Sequence, residues 1–281
     1  MTEEIETSTP KHNPLLDKLN KMPGVTFRLP SKGLLYKNGE LATDVKDGEV
    51  VVYPMTTLDE LYMKTPDMLF QGTAIEHVFK KRIPQIKKPM ELFGNDVDFL
   101  LTALRKVSYG DFIPIKHRCT LCGEKTDEVH TYDIPLNYFL SKTKELSIGD
   151  KDNLTFTLSL GYKVTLRPSK LNEVLELYRF NNMQDTTQAD ELNTLMIKSL
   201  CSTIDNVDGI DDRAQIEEWI LELPKGVVEE FQGKLEKVNN WGVEFKFEFD
   251  CIDCQGHQVI NTVLNPLYFF ILPSDQKTNQ E

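Results

Sequence analysis

The 281-residue chain has no apolar run approaching the ~20 residues that a membrane-spanning helix needs. Its opening, Met1 to Thr7, is acidic and has no apolar core, so no secretory signal is expected there. Without an export signal the expected surroundings are a reducing cytoplasm, where paired cysteines hold metal more often than they form disulfides. Positive charge is in deficit: 32 Lys and Arg face 44 Asp and Glu, a formal net charge of −12. Such a chain repels nucleic acid unless its cations are segregated. One segregated run exists, Lys80, Lys81, Arg82, Lys87 and Lys88, with no acid inside it. We read it as a solvated helix end, where cations suit the helix dipole, or as a contact for an acidic protein partner, in preference to a phosphate site. Also missing are a Gly-x-x-x-x-Gly-Lys loop, a His-Glu-x-x-His helix and a Gly-x-Ser-x-Gly elbow. No carboxylate pair stands apart as an acid/base couple, so no enzyme mechanism is expected.

Cysteine is scarce as well, five in all, but four of the five fall in two matched pairs. Cys119 and Cys122 bracket Thr120 and Leu121, and Cys251 and Cys254 bracket Ile252 and Asp253. A Cys-x-x-Cys spacing lets two thiolates reach one ion from a tight turn. Gly123 and Gly256 follow closely, and the expectation is that each supplies a φ other residues take reluctantly. The surroundings repeat too. Ile134-Pro-Leu-Asn-Tyr-Phe-Leu140 follows the first pair and Asn265-Pro-Leu-Tyr-Phe-Phe-Ile271 the second. Strand, knuckle, strand, Pro-Leu and aromatic anchor thus form a duplicated unit. The pattern predicts a pseudo-two-fold ribbon of two β-hairpins around one structural Zn2+ per chain, held by Cys119, Cys122, Cys251 and Cys254. Four thiolates leave no open position for water, which suits a structural ion. Such an ion ties together residues ~130 apart and contributes folding energy directly. His117, His130 and His257 lie near the knuckles and are expected at the surface or behind the ligands.

The fold class expected is α+β: a four-cysteine zinc ribbon with an N-terminal three-helix region and a mainly helical insertion between the knuckles. Residues 1–22 read as a flexible arm, with a short amphipathic piece at Leu15 to Leu19, and residues 23–110 as an N-terminal α/β region. Residues 111–140 and 243–274 read as the two ribbon halves, 141–242 as an inserted hairpin plus helical domain, and 275–281 as a disordered tail. The ordered part is expected to start near Val25 to Pro30, and Val50 to Tyr53 reads as a strand that follows a turn. The three helices are one opening at a Thr57 to Glu60 capping-box spacing and stopping near Pro66, one from Gly72 to Ile83, and one capped by Asn95 or Asp96 that ends before Tyr109-Gly110. Leu154 to Leu160 and Tyr162 to Leu166 alternate around Gly161 as a hairpin. A helical block then runs from about Ser169 to Asn239, with one stripe on Ile197, Leu200, Cys201 and Ile204. Cys201 on that stripe is expected to be core packing. Asp205 to Asp212 lacks the ligand spacing of a calcium loop and reads as a turn leading to a helix cap at Asp211 or Asp212.

In order along the chain come Leu29-Pro-Ser-Lys-Gly-Leu-Leu-Tyr36, Tyr53 to Glu60, Pro66-Asp67, Gly72, Arg105 to Gly110, the two Cys-x-x-Cys pairs, and Phe269-Phe270. This order resembles the baseplate protein family of T-even-type contractile-tailed bacteriophages, over roughly residues 25 to 272. The resemblance implies a non-enzymatic role in building the tail baseplate hub, as an assembly factor or a hub component. A chaperone for the tape-measure protein is a related role. It implies partners among the tail and baseplate hub proteins, and a place in the host cytoplasm during assembly or in the virion tail. It supplies no catalytic residue. The alternative is a zinc-ribbon nucleic-acid-binding regulator, which would bind through Lys80 to Lys88 in a salt-sensitive way.

Overall fold

The computed structural model describes residues 22–123, 129–147, 154–183 and 197–261. The arm up to residue 21, the tail from Asp275, and the second Pro-Leu-aromatic segment lie outside the described residues. The architecture is mixed α+β, with small antiparallel sheets.

Strands β1 (Val25–Arg28) and β2 (Glu49–Val52) pair antiparallel, Val25 opposite Val52 and Arg28 opposite Glu49. Four helices follow where three are expected: α1 (Thr57–Met63), α2 (Pro66–Phe70), α3 (Thr73–Arg82) and α4 (Gly94–Tyr109). Pro66 does not simply end α1. It sits in the first turn of α2, where its missing N–H has no helical partner to lose. The capping box lies one residue earlier than its expected place: Thr56 is the cap and Asp59 its reciprocal partner. In α3 the predicted stripe holds, with Ile75, Val78 and Phe79 buried and Ile83 buried just beyond its end. Helix α4 starts without any side-chain cap, because Asn95 and Asp96 are engaged elsewhere. Asn95 Nδ2 donates to the Trp241 carbonyl at 2.6 Å. The fully buried Asp96 accepts the Ser31 N–H at 3.1 Å and the Tyr36 hydroxyl at 2.7 Å. The Tyr36 oxygen in turn accepts the Phe93 N–H at 3.0 Å. Ser31 and Tyr36 belong to the Leu29 to Tyr36 segment, so that segment works as a cradle for one buried carboxylate. Burial pushes the Asp96 carboxyl up to about 6, against the opposing pull of its donors.

Two hairpins complete this half of the protein. Strands β3 (Phe112–His117) and β4 (His130–Pro135) pair antiparallel, and helix α5 (Leu136–Ser141) follows directly. Strands β8 (Lys246–Asp250) and β9 (His257–Asn261) form the second. The aromatic face of β8 docks on α5: Phe247 lies 5.0 Å from Tyr138 and 6.4 Å from Phe139, ring centre to ring centre, and Phe245 5.6 Å from Phe139. Both hairpins therefore share one core with α1 to α4.

Between the hairpins, β5 (Thr155–Thr157), β6 (Lys163–Leu166) and β7 (Ile204–Val207) form a three-stranded sheet in that order. The predicted hairpin around Gly161 is β5 and β6. Strand β7 corrects the predicted helical stripe: residues 197–203 are helical, but Ile204 starts a strand and buries its side chain from the sheet. Two residues of a stripe and the first of a strand point the same way when helix runs straight into strand, so periodicity does not separate them. Helices α7 (Arg213–Leu221) and α8 (Lys225–Val238) cover the sheet, burying Ile216, Ile220, Phe231 and Val238 in a second core. Helix α6 (Leu171–Met183) turns away from that core, and Leu171 joins the first one. The segments entering and leaving this region are bridged to each other, with Lys144 and Gly242 exchanging backbone hydrogen bonds at 3.0 and 2.8 Å.

Candidate metal centre

Each hairpin carries one cysteine pair beyond the end of its first strand. In the first knuckle the Gly123 N–H returns to the Cys119 carbonyl at 2.9 Å, and the Leu121 N–H points at Cys119 Sγ at 3.3 Å. In the second, the Gln255 N–H returns to the Cys251 carbonyl at 3.0 Å. The glycines act differently from expectation. Neither Gly123 nor Gly256 has a positive φ; that conformation falls on Gln255, at +56°. Close approach is what excludes a side chain. A Cβ on Gly256 would sit 2.4 Å from a Leu121 methyl and 3.2 Å from Cys254 Sγ, and one on Gly123 2.6 Å from Arg118 Cγ.

The four sulfurs converge. Cys119 Sγ lies 3.7 Å from Cys254 Sγ, and Cys122 Sγ 3.7 Å from Cys251 Sγ. All four lie within 4.8 Å of one another. A disulfide needs ~2.05 Å, and none of these cysteines is in one. Four thiolates around one ion at ~2.3 Å make a tetrahedron with edges of about 3.8 Å, so the observed spacing fits a four-sulfur metal centre. The electrostatics make the same demand. Burial raises the Cys119 thiol, but the N–H groups of Cys122 and Leu121 outweigh it and bring the group down to about 6. Cys251 is likewise lowered, chiefly by the Cys254 N–H. Cys122 is raised, first by burial and then by the neighbouring sulfurs. The first cysteine of each knuckle thus favours the thiolate, the form a metal ligand takes.

The three nearby histidines sit outside this cluster. His117 Nε2 lies 3.3 Å from Gln258 Oε1, His130 Nε2 pairs with Asp253 at 2.5 Å, and the exposed His257 lies 3.4 Å from Asp250. Cys201 packs against the second core, where burial first of all pushes its thiol up to about 11. The basic run is split. Lys80, Lys81 and Arg82 form the last turn of α3, with Lys80 bonded to Glu76 at 2.7 Å and Arg82 to Asp59 at 2.5 Å. Lys87 and Lys88 cap carbonyls of Pro84 and Asn38. Of the 205–212 segment, residues 205–207 belong to β7 and the turn begins at Asp208, while Asp212 caps α7 by accepting the Gln215 N–H at 3.0 Å.

Sequence reasoning missed two residues beside the cluster, Gln258 and Tyr132. Strand β9 turns Gln258 inward, 3% exposed, and leaves Val259 outside at 43%. An apolar residue outside and an amide inside is a signal, but a five-residue strand does not reveal its own phase.

A family model described as T4 bacteriophage base plate protein matches residues 22–271, which takes in both hairpins and all four cysteines. The chain belongs to that family. It is thus a phage baseplate-related protein, and base plate family membership points to other phage tail proteins as its partners. No curated protein and no solved structure matches the chain. No helix among the described residues is long and apolar enough to cross a membrane.

Proposed function

We propose that this base plate family chain is a non-enzymatic tail morphogenesis protein, a baseplate hub assembly factor or hub component that acts by binding other tail proteins. Its four cysteines hold one structural zinc that clasps the two hairpins into a ribbon. The observation that carries the metal reading is the near-tetrahedral spacing of four sulfurs delivered by two separate hairpins. Four sulfur ligands fill the coordination sphere, so the ion serves the fold and not a reaction. The family match shows a base plate-related chain and so supports, at that level, a part in tail building. A chaperone acting on the tape-measure protein is the narrower form of the same reading, and assembly inside the host cell is its setting. The engaged cations of the basic run support the protein-binding reading over the nucleic-acid one.

Elemental analysis of the full chain, purified without chelator, should find about one zinc per chain. A metal-free protein with all thiols reactive would overturn the clasp. Capture from infected cells should return baseplate or tail proteins; a pull-down that returns none refutes the assembly role.

A further inference from the structure

We propose that Gln258, which is not a ligand, is the positioning residue of the metal centre, and that Tyr132 is its counterpart on the other hairpin. The inference rests on the metal reading above. Gln258 belongs to β9 in the second hairpin, yet its amide is spent on the first knuckle. Its Oε1 accepts the Thr120 N–H at 3.0 Å and the Thr120 hydroxyl at 3.0 Å. Its Nε2 donates to the His257 carbonyl at 2.9 Å. The orientation of the amide follows from these partners, because a backbone N–H only donates and a carbonyl only accepts. His117 Nε2, 3.3 Å from the same Oε1, must then be the protonated nitrogen. Thr120 directly follows Cys119. Its backbone position sets where Cys119 Sγ can go, and the fixing group comes from 138 residues away.

The other half of the pair reverses the direction. Tyr132, on β4 of the first hairpin, presents its hydroxyl oxygen to the Ile252 N–H at 3.5 Å. Ile252 directly follows Cys251. The Tyr132 ring is seated against that of Phe249 of β8, 4.3 Å between centres. Each hairpin therefore reaches across to the residue after the first cysteine of the other knuckle. The Gln258 contact is the shorter and the more buried of the two, so it carries the larger share. The two knuckles are held at sulfur–sulfur spacings suited to an ion by protein contacts alone, which is the condition for tight binding with little rearrangement.

The test is metal affinity, read by competition with a chromophoric chelator on the full chain. Gln258→Met keeps length and bulk but removes every polar contact. It should weaken zinc about 10- to 100-fold, the usual range for groups that orient metal ligands. It should also broaden the d–d bands of the cobalt-substituted protein. Phe247→Leu, in the same hairpin but packed on α5, serves as the control for general loosening and should leave the cobalt spectrum unchanged. Thr120→Ala, at an exposed position, removes one donor without threatening the fold and should weaken zinc several-fold. Tyr132→Phe should have a smaller effect than Gln258→Met. Wild-type zinc affinity and an unchanged cobalt spectrum in Gln258→Met would overturn the proposal while leaving the metal reading intact. If Gln258→Met does not fold, unchanged affinity in Thr120→Ala overturns it equally. A wild-type chain that binds no zinc removes the metal reading itself, and this proposal with it.

Discussion

Replacing Asp96 by Asn should change the pH dependence of stability in a defined window. In the native protein burial holds this carboxyl at about 6, against ~3.9 in an unfolded chain. Between about pH 4 and 6 the folded state keeps a proton that the unfolded state has released, so the group makes the protein less stable as pH rises. Below that window both states are protonated and the effect vanishes; above it the penalty is complete. A gap of about two pKa units at ~1.4 kcal/mol each gives about 3 kcal/mol. Asn is neutral throughout. Its Oδ1 can accept the Ser31 N–H as Asp96 does, while its amide nitrogen requires the Tyr36 hydroxyl to turn its proton elsewhere. That exchange shifts stability by an amount independent of pH. Urea unfolding of both proteins from pH 4 to 7 should therefore show the variant gaining on wild type by up to about 3 kcal/mol, with the change complete near neutrality. Taking the difference at each pH cancels every titration the two proteins share. Parallel curves would show that Asp96 ionises in the fold as freely as in the unfolded chain, and would refute the reasoning.

Gly48→Ala should cost at least about 1 kcal/mol more than Gly161→Ala in chemical denaturation. Both have positive φ, a cost of about 1–2 kcal/mol for an L side chain, but a Cβ on Gly48 meets Lys32 backbone at 2.7 Å whereas one on Gly161 meets nothing within 4 Å. Equal losses would sink that distinction. Asp59→Ala should lower stability by about 3 kcal/mol, because it removes the Arg82 ion pair and the reciprocal half of the Thr56 capping box together; a melting shift near zero would contradict the carboxylate's burial. Phe231→Ala should cost about 3–5 kcal/mol through the second core, where the ring lies 5.9 Å from Phe156 and 6.0 Å from Trp219. A loss below 1 kcal/mol would mean that core is loosely packed.

Legibility in the sequence followed the physics of each feature. The Ile75, Val78, Phe79 stripe and the alternation of Phe245, Phe247 and Phe249 repeat at helix and strand periods, so they read correctly. The cysteine pairs were legible because two Cys-x-x-Cys turns with matching flanks constrain where four sulfurs can go. Ile204 misled because the junction of helix and strand preserves the apolar face. Asn95 and Asp96 misled because a good capping residue is also a good long-range acceptor, and only tertiary structure shows Trp241 and Ser31 arriving as partners. Gln258 and Tyr132 were invisible for the same reason: their partners lie more than a hundred residues away. The Lys144–Gly242 bridge, 98 residues apart, was hidden for the same reason.

The separation of the two knuckles sets a timetable for the growing chain. Cys254 leaves the ribosome 135 residues after Cys119, which at ~5–20 residues per second is on the order of ten seconds. Through that interval the first cysteine pair stands without the second, which the proposed site needs. The β5–β6–β7 module is translated within it and can complete its own core first. On the proposed metal reading the ion enters last, once everything between the knuckles has been made.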